Sequence, residues 1–158
     1  MDITLREVTM TTLRPVLRCR VAPDQEPFVA PNVESLAEAS VNPRLTPLAI
    51  YDGSLVGRVA NASDPVRGFV MYQVWDEIGF IKRLMVAADQ QGKGYGRAAM
   101  REVVRQLKAV PQVRRIATSY HRNNAVAQAL YASLGFTRKL DVDNAVEEYV
   151  ALDWDPVA

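Results

Sequence analysis

The sequence predicts an α/β fold of the α+β kind, with a mixed, largely antiparallel sheet of about seven strands and about four helices on both faces. Two observations lead to this class. Strand patterns outnumber helix patterns up to residue 86, and strands and helices then alternate to the end of the chain. Strands that follow each other directly pair antiparallel, whereas an intervening helix allows parallel pairing, so we expect a mixed sheet.

Length and composition indicate a single domain spanning residues 1–158. The one cysteine, Cys19, has no partner for a disulfide within the chain, which suits a reducing cytoplasm. No apolar run is long enough to cross a bilayer. The 19 Lys and Arg nearly balance the 18 Asp and Glu, and no basic tract stands out. We therefore expect a cytoplasmic protein that binds neither membranes nor nucleic acid.

The first part of the chain predicts one strand followed by two helices. Residues 3–8 alternate as a strand, and residues 11–21 form a helix that begins or kinks near Pro15. Residues 31–41 form a short second helix with Asn32 as its N-cap. Its inward positions are predicted to be Val33, Leu36 and Ala37.

The middle of the chain predicts two pairs of strands. Residues 47–57 are two apolar runs about the turn pair Asp52-Gly53, which is a common hairpin signal. Residues 58–67 are polar and form a loop. Residues 68–86 are two further strands, connected around residues 75–79, and the second leads into a glycine-rich turn.

The last part of the chain contains the two most strongly marked helices. The first presents Met100, Val103, Val104 and Leu107 at helical spacing and ends before Pro111. A strand at residues 113–120 separates it from the second helix, which ends at Gly135. That helix places on one face Ala127, Leu130, Tyr131 and Leu134. Residues 136–140 and 145–154 are two final strands.

Three glycines on alternate positions, Gly92, Gly94 and Gly96, lie between a strand and a helix. Such a turn offers unpaired amides at the positive end of a helix dipole, so it predicts an anion site for a phosphate. Two familiar phosphate motifs fail here. The dinucleotide motif requires glycine where Arg97 stands, and the P-loop requires glycine where Ala87 stands. A nucleotide-binding protein is therefore disfavoured.

The pattern that fits is Q-x-x-G-x-G at residues 91–96, and a second motif, N-x-x-A-x-x-L-Y-x-x-x-G-F, covers residues 124–136. In both, the chain resembles the GNAT family of acetyl-CoA-dependent N-acetyltransferases. Segments at residues 24–39 and 47–53 are similar to the bacterial spermine/spermidine acetyltransferases of that family. Residues 58–67 depart from that pattern as an apparent insertion.

The resemblance implies acetyl-CoA as co-substrate and no metal. Its pyrophosphate would lie on the amides of the glycine turn and its pantetheine arm beside the preceding strand, with an oxyanion-binding N–H near Leu84 or Met85 at a strand bulge. Sequence cannot show a bulge. The residues expected to bind acetyl-CoA are Leu84, Met85, Val86, Gln91, Gly92, Lys93, Gly94, Tyr95, Gly96, Arg97, Asn124 and Ala127.

Two residues are expected to be catalytic. Tyr131 would protonate the departing thiolate, although a tyrosine on an apolar helix face also fits a core position. Glu77 is a candidate base for the amine, and a solvated carboxylate at a strand end is the alternative. Asn124 would contact the cofactor arm or serve as a plain helix cap. His121, the only histidine, is given no role.

The acceptor is expected to be a primary amine of a small molecule, namely a polyamine such as spermidine or spermine, which attacks directly in a ternary complex. Glu26, Phe28, Tyr72 and Trp75 would line its site. An aminoglycoside, an amino acid or a protein amine are the alternative acceptors. A non-catalytic acyl-CoA-binding regulatory module is the alternative from another class. A homodimer is a further expectation.

Overall fold

The computed structural model describes residues 1–139 and 144–154. The helices and strands follow in the order β1 (Ile3–Glu7), α1 (Leu13–Arg18), α2 (Asn32–Val41), β2 (Leu45–Asp52), β3 (Gly68–Trp75), β4 (Ile78–Val86), α3 (Tyr95–Lys108), β5 (Arg115–His121), α4 (Ala125–Ser133), β6 (Thr137–Arg138) and β7 (Glu147–Asp153). Short 3₁₀ turns occur at Pro23–Phe28, Gly53–Leu55 and Ala88–Gln90.

These strands form one seven-stranded sheet in the order β1-β2-β3-β4-β5-β7-β6. Within the described ranges, β4 and β5 pair in parallel and every other pair is antiparallel. The chain crosses back over the sheet through α3, which allows β5 to run parallel to β4. The predicted fold class is confirmed.

The parallel pairing of β4 with β5 is short, and the two strands then separate. It runs from Ile78↔Arg115 to Ile81↔Thr118. On the other side of β4, Tyr72 of β3 pairs with Ile81, whereas the residue before it, Met71, pairs with Arg83. Lys82 is therefore an extra residue in β4. Such a bulge bends the strand away from its neighbour. The bulge that the resemblance implied therefore exists, two residues before Leu84.

Both faces of the sheet are covered by apolar side chains. On one face α3 buries Met100, Val103 and Leu107 completely. On the other face, Val16 of α1 packs in a second cluster with Phe69 and other residues of the central strands. The helical spacing predicted for α3 is correct, since Val104 also packs against the first cluster.

The predicted hairpin at Asp52-Gly53 is wrong. Asp52 ends β2, and its carboxylate accepts a hydrogen bond from the amide of Ser54 at 3.0 Å, which starts a 3₁₀ turn. Leu55 is buried at the end of this turn, and the chain reaches β3 at Gly68. The next strand along the chain that pairs with β2 is therefore β3, because Asp52 caps a turn that leads away from the sheet.

Asn32 is not the N-cap of α2. Pro31 occupies that position, and the Asn32 side chain is buried, donating hydrogen bonds to the carbonyls of Val16 at 3.0 Å and Cys19 at 3.2 Å. The face of α2 that points inward is therefore rotated relative to the predicted one. Val33 is 59% exposed, whereas Ser35 is buried. Leu36 lies inward as predicted, and Ala37 does not.

The final two strands are present where the sequence predicts them. The first, β6, comprises Thr137–Arg138, while Leu140 of the predicted strand lies outside the described residues. The second, β7, pairs with β5 over its whole length. In the ranges described, no helix is long and apolar enough to cross a membrane.

Candidate active site

A cavity of about 800 Å³ opens where β4 and β5 separate. Seven parts of the chain line it: the 3₁₀ segment Pro23–Phe28, the start of α2, the second half of β4, the glycine turn, the end of β5, the start of α4 and the start of β7. The bulge at Lys82 creates this space, since paired strands would leave no gap between them. Thirteen of the predicted site residues line the cavity: Glu26, Phe28, Leu84, Met85, Val86, Gln91, Gly92, Gly94, Tyr95, Gly96, Asn124, Ala127 and Tyr131.

The glycine turn presents a run of free amides. Within the described chain, none of the backbone amides of residues 91–97 donates a hydrogen bond. Gly92 and Gly94 have φ values of 74° and 97°, which other residues rarely adopt, and Gly94 is the N-cap of α3. Free amides at a helix N-terminus fit the phosphates of acetyl-CoA.

Gln91 fixes the base of this turn. Its side-chain amide donates to the Val86 carbonyl at 3.1 Å and exchanges two hydrogen bonds with the Gln25 side chain, at 2.6 and 2.8 Å. Gln25 belongs to the same 3₁₀ segment as Glu26 and Phe28. The hydrogen bonds between Gln91 and Gln25 therefore connect the glycine turn to the opposite wall of the cavity.

Tyr131 of α4 lies at the point where the strands separate. It is 5% exposed, and its ring packs against Tyr120 and Phe136 with centroids 5.9 and 6.0 Å away. Burial raises the pKa of Tyr131 to about 12, with a smaller opposing effect from a hydrogen bond to Thr118. The Thr118 hydroxyl in turn donates to the Ile81 carbonyl at 2.8 Å. The phenol is therefore protonated at neutral pH and held beside the gap.

Asn124 is the N-cap of α4, which is one of the two roles that the sequence predicts for it. Its side-chain oxygen accepts a hydrogen bond from the amide of Ala127 at 3.1 Å. The residue also lines the cavity, so its Nδ2 group can face a ligand. The two interpretations are compatible.

The charged groups of the cavity divide into paired cations and unpaired carboxylates. Lys82 and Arg83 both bind the Glu38 carboxylate, which lowers the pKa of Glu38. Four further carboxylates line the cavity, and none has an ion pair with any described residue: Asp24, Glu26, Glu34 and Glu147. The cavity can therefore accept positive charge more readily than negative charge away from the glycine turn.

Glu77, the predicted base, does not line the cavity. Glu77 is exposed in the turn between β3 and β4, at the end of β4 that pairs with β5. It is seven residues from Leu84 along an extended strand, about 23 Å at 3.3 Å per residue. A base must come within hydrogen-bonding distance of the proton that it removes.

Tyr72 and Trp75 do not line the cavity either, so their assignment to the acceptor site is corrected. The Tyr72 hydroxyl donates to Gln106 of α3 at 3.3 Å. Trp75 lies at the far end of β3 and packs against Phe80, with ring centroids 5.7 Å apart. Lys93 and Arg97 lie outside the cavity lining, next to the glycine turn, and their contact with phosphate stays a prediction.

Several residues that line the cavity were missed by sequence reasoning, among them Thr118, Ser119 and Glu147. A buried threonine within the apolar positions of β5 was a signal that could have been noticed. Glu147 gave no signal, because its place depends on the pairing of β7 with β5. In the described residues, no group of three His, Cys, Asp or Glu is arranged to hold a metal ion.

Comparisons with known proteins agree with this geometry. The family described as "Acetyltransferase (GNAT) family" matches residues 15–136. Spermine/spermidine N(1)-acetyltransferase of Bacillus subtilis (strain 168) is 24% identical over 152 residues, which cover 90% of this chain and 93% of the relative.

Two solved structures show the same fold. An acetyltransferase from Thermus thermophilus superimposes with a TM-score of 0.73 at 19% identity, covering 98% of both chains. Spermidine N-acetyltransferase from Vibrio cholerae, in complex with CoA and spermine, has a TM-score of 0.71 at 15% identity, covering 96% of this chain and 95% of the other.

The family match covers more than half of the chain and includes the glycine turn and all of α4. Fold, motifs and cavity agree with it. The chain belongs to the acetyltransferase (GNAT) family and is an acetyl-CoA-dependent N-acetyltransferase.

Proposed function

We propose that this enzyme acetylates a primary amine of a small polycationic molecule, a polyamine such as spermidine or spermine, by direct attack in a ternary complex. The observation that carries the proposal is the set of four carboxylates that line the cavity without an ion pair in the described ranges. An alkylamine with a pKa near that of lysine, roughly 10.4, arrives protonated, so carboxylates offset its charge. The names of the curated relatives point to the same substrate class.

The two ends of the cavity have separate tasks in this proposal. The amides of residues 91–96 bind pyrophosphate, and the backbone of residues 84–86 runs beside the pantetheine arm. Asn124 and Ala127 contact that arm. Acetyl-CoA supplies an acyl group activated as a thioester. An amide of β4 next to the bulge stabilises the developing oxyanion, and Tyr131 protonates the sulfur.

On the acceptor side, Glu26 and Phe28 form the wall that faces the end of β5. The ring of Phe28 packs against His121 with centroids 5.3 Å apart, and Glu34 follows at the start of α2. This wall is acidic and partly aromatic, which suits an alkyl chain that carries several ammonium groups.

The test is thiol release from acetyl-CoA with a panel of amines: spermidine, spermine, a diamine, lysine and an aminoglycoside. We expect turnover with polyamines, and a roughly 2- to 5-fold rise in their KM for Glu26→Gln and Glu34→Gln, because a partly exposed ion pair contributes about 0.5–1 kcal/mol. The KM of acetyl-CoA should stay unchanged in both variants.

Other results would redirect the proposal. Turnover with another amine of the panel alone would keep the reaction and reject the polyamine. Binding of acetyl-CoA without turnover of any amine would favour a protein acceptor or a regulatory binding module.

A further inference from the structure

Glu147 is one of the four carboxylates named above that line the cavity, and it lies near the gap between β4 and β5. Glu147 of β7 stands opposite His121 of β5, and Tyr149 stands opposite Ser119. The Ser119 hydroxyl lies 3.4 Å from one Glu147 oxygen, and Ser119 directly follows Thr118, the last residue of β5 that pairs with β4. Glu147 therefore reaches the gap from the strand beyond β5.

Successive side chains along β5 point to opposite faces of the sheet. Thr118 and Tyr120 point toward α4, where both contact Tyr131. Ser119 and His121 must point to the opposite face, as the contacts with Glu147 and Phe28 show. A thioester held in the gap between β4 and β5 thus has the Tyr131 phenol on one side and the Glu147 carboxylate on the other.

The Glu147 carboxylate has capacity for a cationic ligand. Its two oxygens accept long hydrogen bonds, one from Ser119 at 3.4 Å and one from the Tyr149 hydroxyl at 3.3 Å. It has no ion pair with any residue in ranges 1–139 and 144–154. A carboxylate can accept about four hydrogen bonds, so both oxygens can still accept from an ammonium group.

The adjacent Glu148 shows the contrast. Its carboxylate accepts from the Tyr120 hydroxyl at 2.6 Å and forms ion pairs with Arg122 at 3.2 Å and Arg138 at 3.3 Å. Glu148 is thus neutralised on the α4 side of β7, whereas its neighbour faces the cavity without a cation.

We infer that Glu147 receives the ammonium group of the acceptor and accepts its proton during acetyl transfer. A proton passes from the nitrogen to the carboxylate, and the freed lone pair of the nitrogen forms the C–N bond. The C–S bond breaks, and the sulfur takes the proton of Tyr131. The nitrogen loses its second proton to solvent as the amide forms. Solvent also removes the proton from Glu147 and returns one to Tyr131, so the net products are amide, thiol and one proton. This inference rests on the proposed ternary complex and not on the polyamine as acceptor.

The experiment compares two amines in Glu147→Gln. One is spermidine, or the preferred primary amine of the panel if spermidine is inactive. The other is its analogue with two fluorine atoms beside the reacting amino group, which lowers the basicity of that group with little change in size. We expect kcat/KM to fall about 10²-fold or more for the basic amine, because general base catalysis typically contributes 10² to 10⁴. The weakly basic analogue should lose less than about tenfold, since a large fraction of it arrives neutral.

Two matched variants make the result specific. Glu148→Gln removes the neighbouring charge on the same strand and should affect both amines equally. His121→Asn tests the other titratable group on this face. An equal loss for both amines in Glu147→Gln, or full activity of that variant with the basic amine, would overturn the inference. A selective loss in His121→Asn alone would assign the base to His121 instead and also overturn it.

The binding of acetyl-CoA is measured in parallel by calorimetry. An unchanged Kd in Glu147→Gln shows that the cavity is intact, and it is the expected result. If no primary amine is turned over by the wild-type protein, the proposed ternary complex itself fails, which is a different outcome from a loss confined to the variant.

Discussion

The cofactor side and the acceptor side of the cavity use different chemistry for their ligands. The cofactor side offers seven consecutive backbone amides, from Gln91 to Arg97, and one buried phenol, Tyr131. The acceptor side offers carboxylates on three separate elements. An anion can be held by neutral dipoles at a helix N-terminus, whereas a small cation needs side-chain charge. The comparison shows how one cavity can hold two ligands of opposite charge next to each other.

The largest effect is expected on the cofactor side, from Tyr131→Phe. Removal of the phenol should lower kcat by about 10²-fold or more, because general acid catalysis typically contributes 10² to 10⁴. The Kd of acetyl-CoA and the KM of the amine should change little, since the ring still fills its place between Tyr120 and Phe136. Stopped-flow and steady-state thiol release measure these quantities.

Thr118→Val serves as the control for this variant. If the hydroxyl acts through Tyr131, the substitution should lower kcat in the wild type and have no further effect in Tyr131→Phe. An unchanged kcat in Tyr131→Phe would show that Tyr131 only packs in the core. The cofactor side would then contribute backbone amides but no proton donor.

A smaller effect is expected from alanine at Gly94, the N-cap of α3. Gly94 has φ 97°, so Gly94→Ala should cost about 1–2 kcal/mol of strain and shift the amides of the turn. We expect the Kd of acetyl-CoA to rise roughly 5- to 30-fold. The kcat for a saturated amine should be nearly unchanged.

Gly96→Ala is the matched comparison. A methyl group there would meet the side chains of Val86 and Leu130 at 3.6 and 3.7 Å, which are ordinary contacts, and no positive φ is required. Alanine in the helix should leave the Kd of acetyl-CoA unchanged and stabilise α3 slightly. If both substitutions raise the Kd of acetyl-CoA equally, glycine is required because the cofactor approaches the backbone closely. Strain at Gly94 would then not be the reason.

The smallest effect concerns an ion pair that supports the cofactor side. Asp52 binds Arg67 at 2.8 Å, and Arg67 also donates to Gln90 and lies over the ring of Tyr95. A hydrogen bond from Ser54 and the Arg67 pair lower the pKa of Asp52 to about 2. Because this pKa lies below its unfolded value of 3.8, the stabilisation is present above about pH 4 and is lost as the pH falls toward 2.

Asp52→Asn tests this contribution while keeping the cap on Ser54. We expect the variant to be less stable than the wild type by about 0.5–1 kcal/mol at about pH 6, since the pair is partly exposed. The difference should narrow as the pH falls from about 5 to about 3 in urea unfolding. A difference that does not depend on pH would contradict the role of charge at Asp52.

Most of the predicted site residues that line the cavity lie in two short stretches of the sequence. The glycine turn and α4 each carry their function within a short motif, which describes both the residues and their local geometry. The errors lie where neighbours in space are distant in sequence. Glu77 and Trp75 are near the cavity strands in sequence, but β4 runs about 30 Å from one end to the other and separates them from the gap.

The sequence by itself determined the fold class, the glycine turn at the start of α3 and the helix that carries Tyr131, because local backbone preferences and amphipathic spacing act over a few residues. The tertiary structure decided three other features: the bulge at Lys82, the pairing of Lys82 and Arg83 with Glu38, and the approach of Glu147 to the gap. Each depends on strand register and on contacts between segments far apart in the chain, which no local pattern specifies.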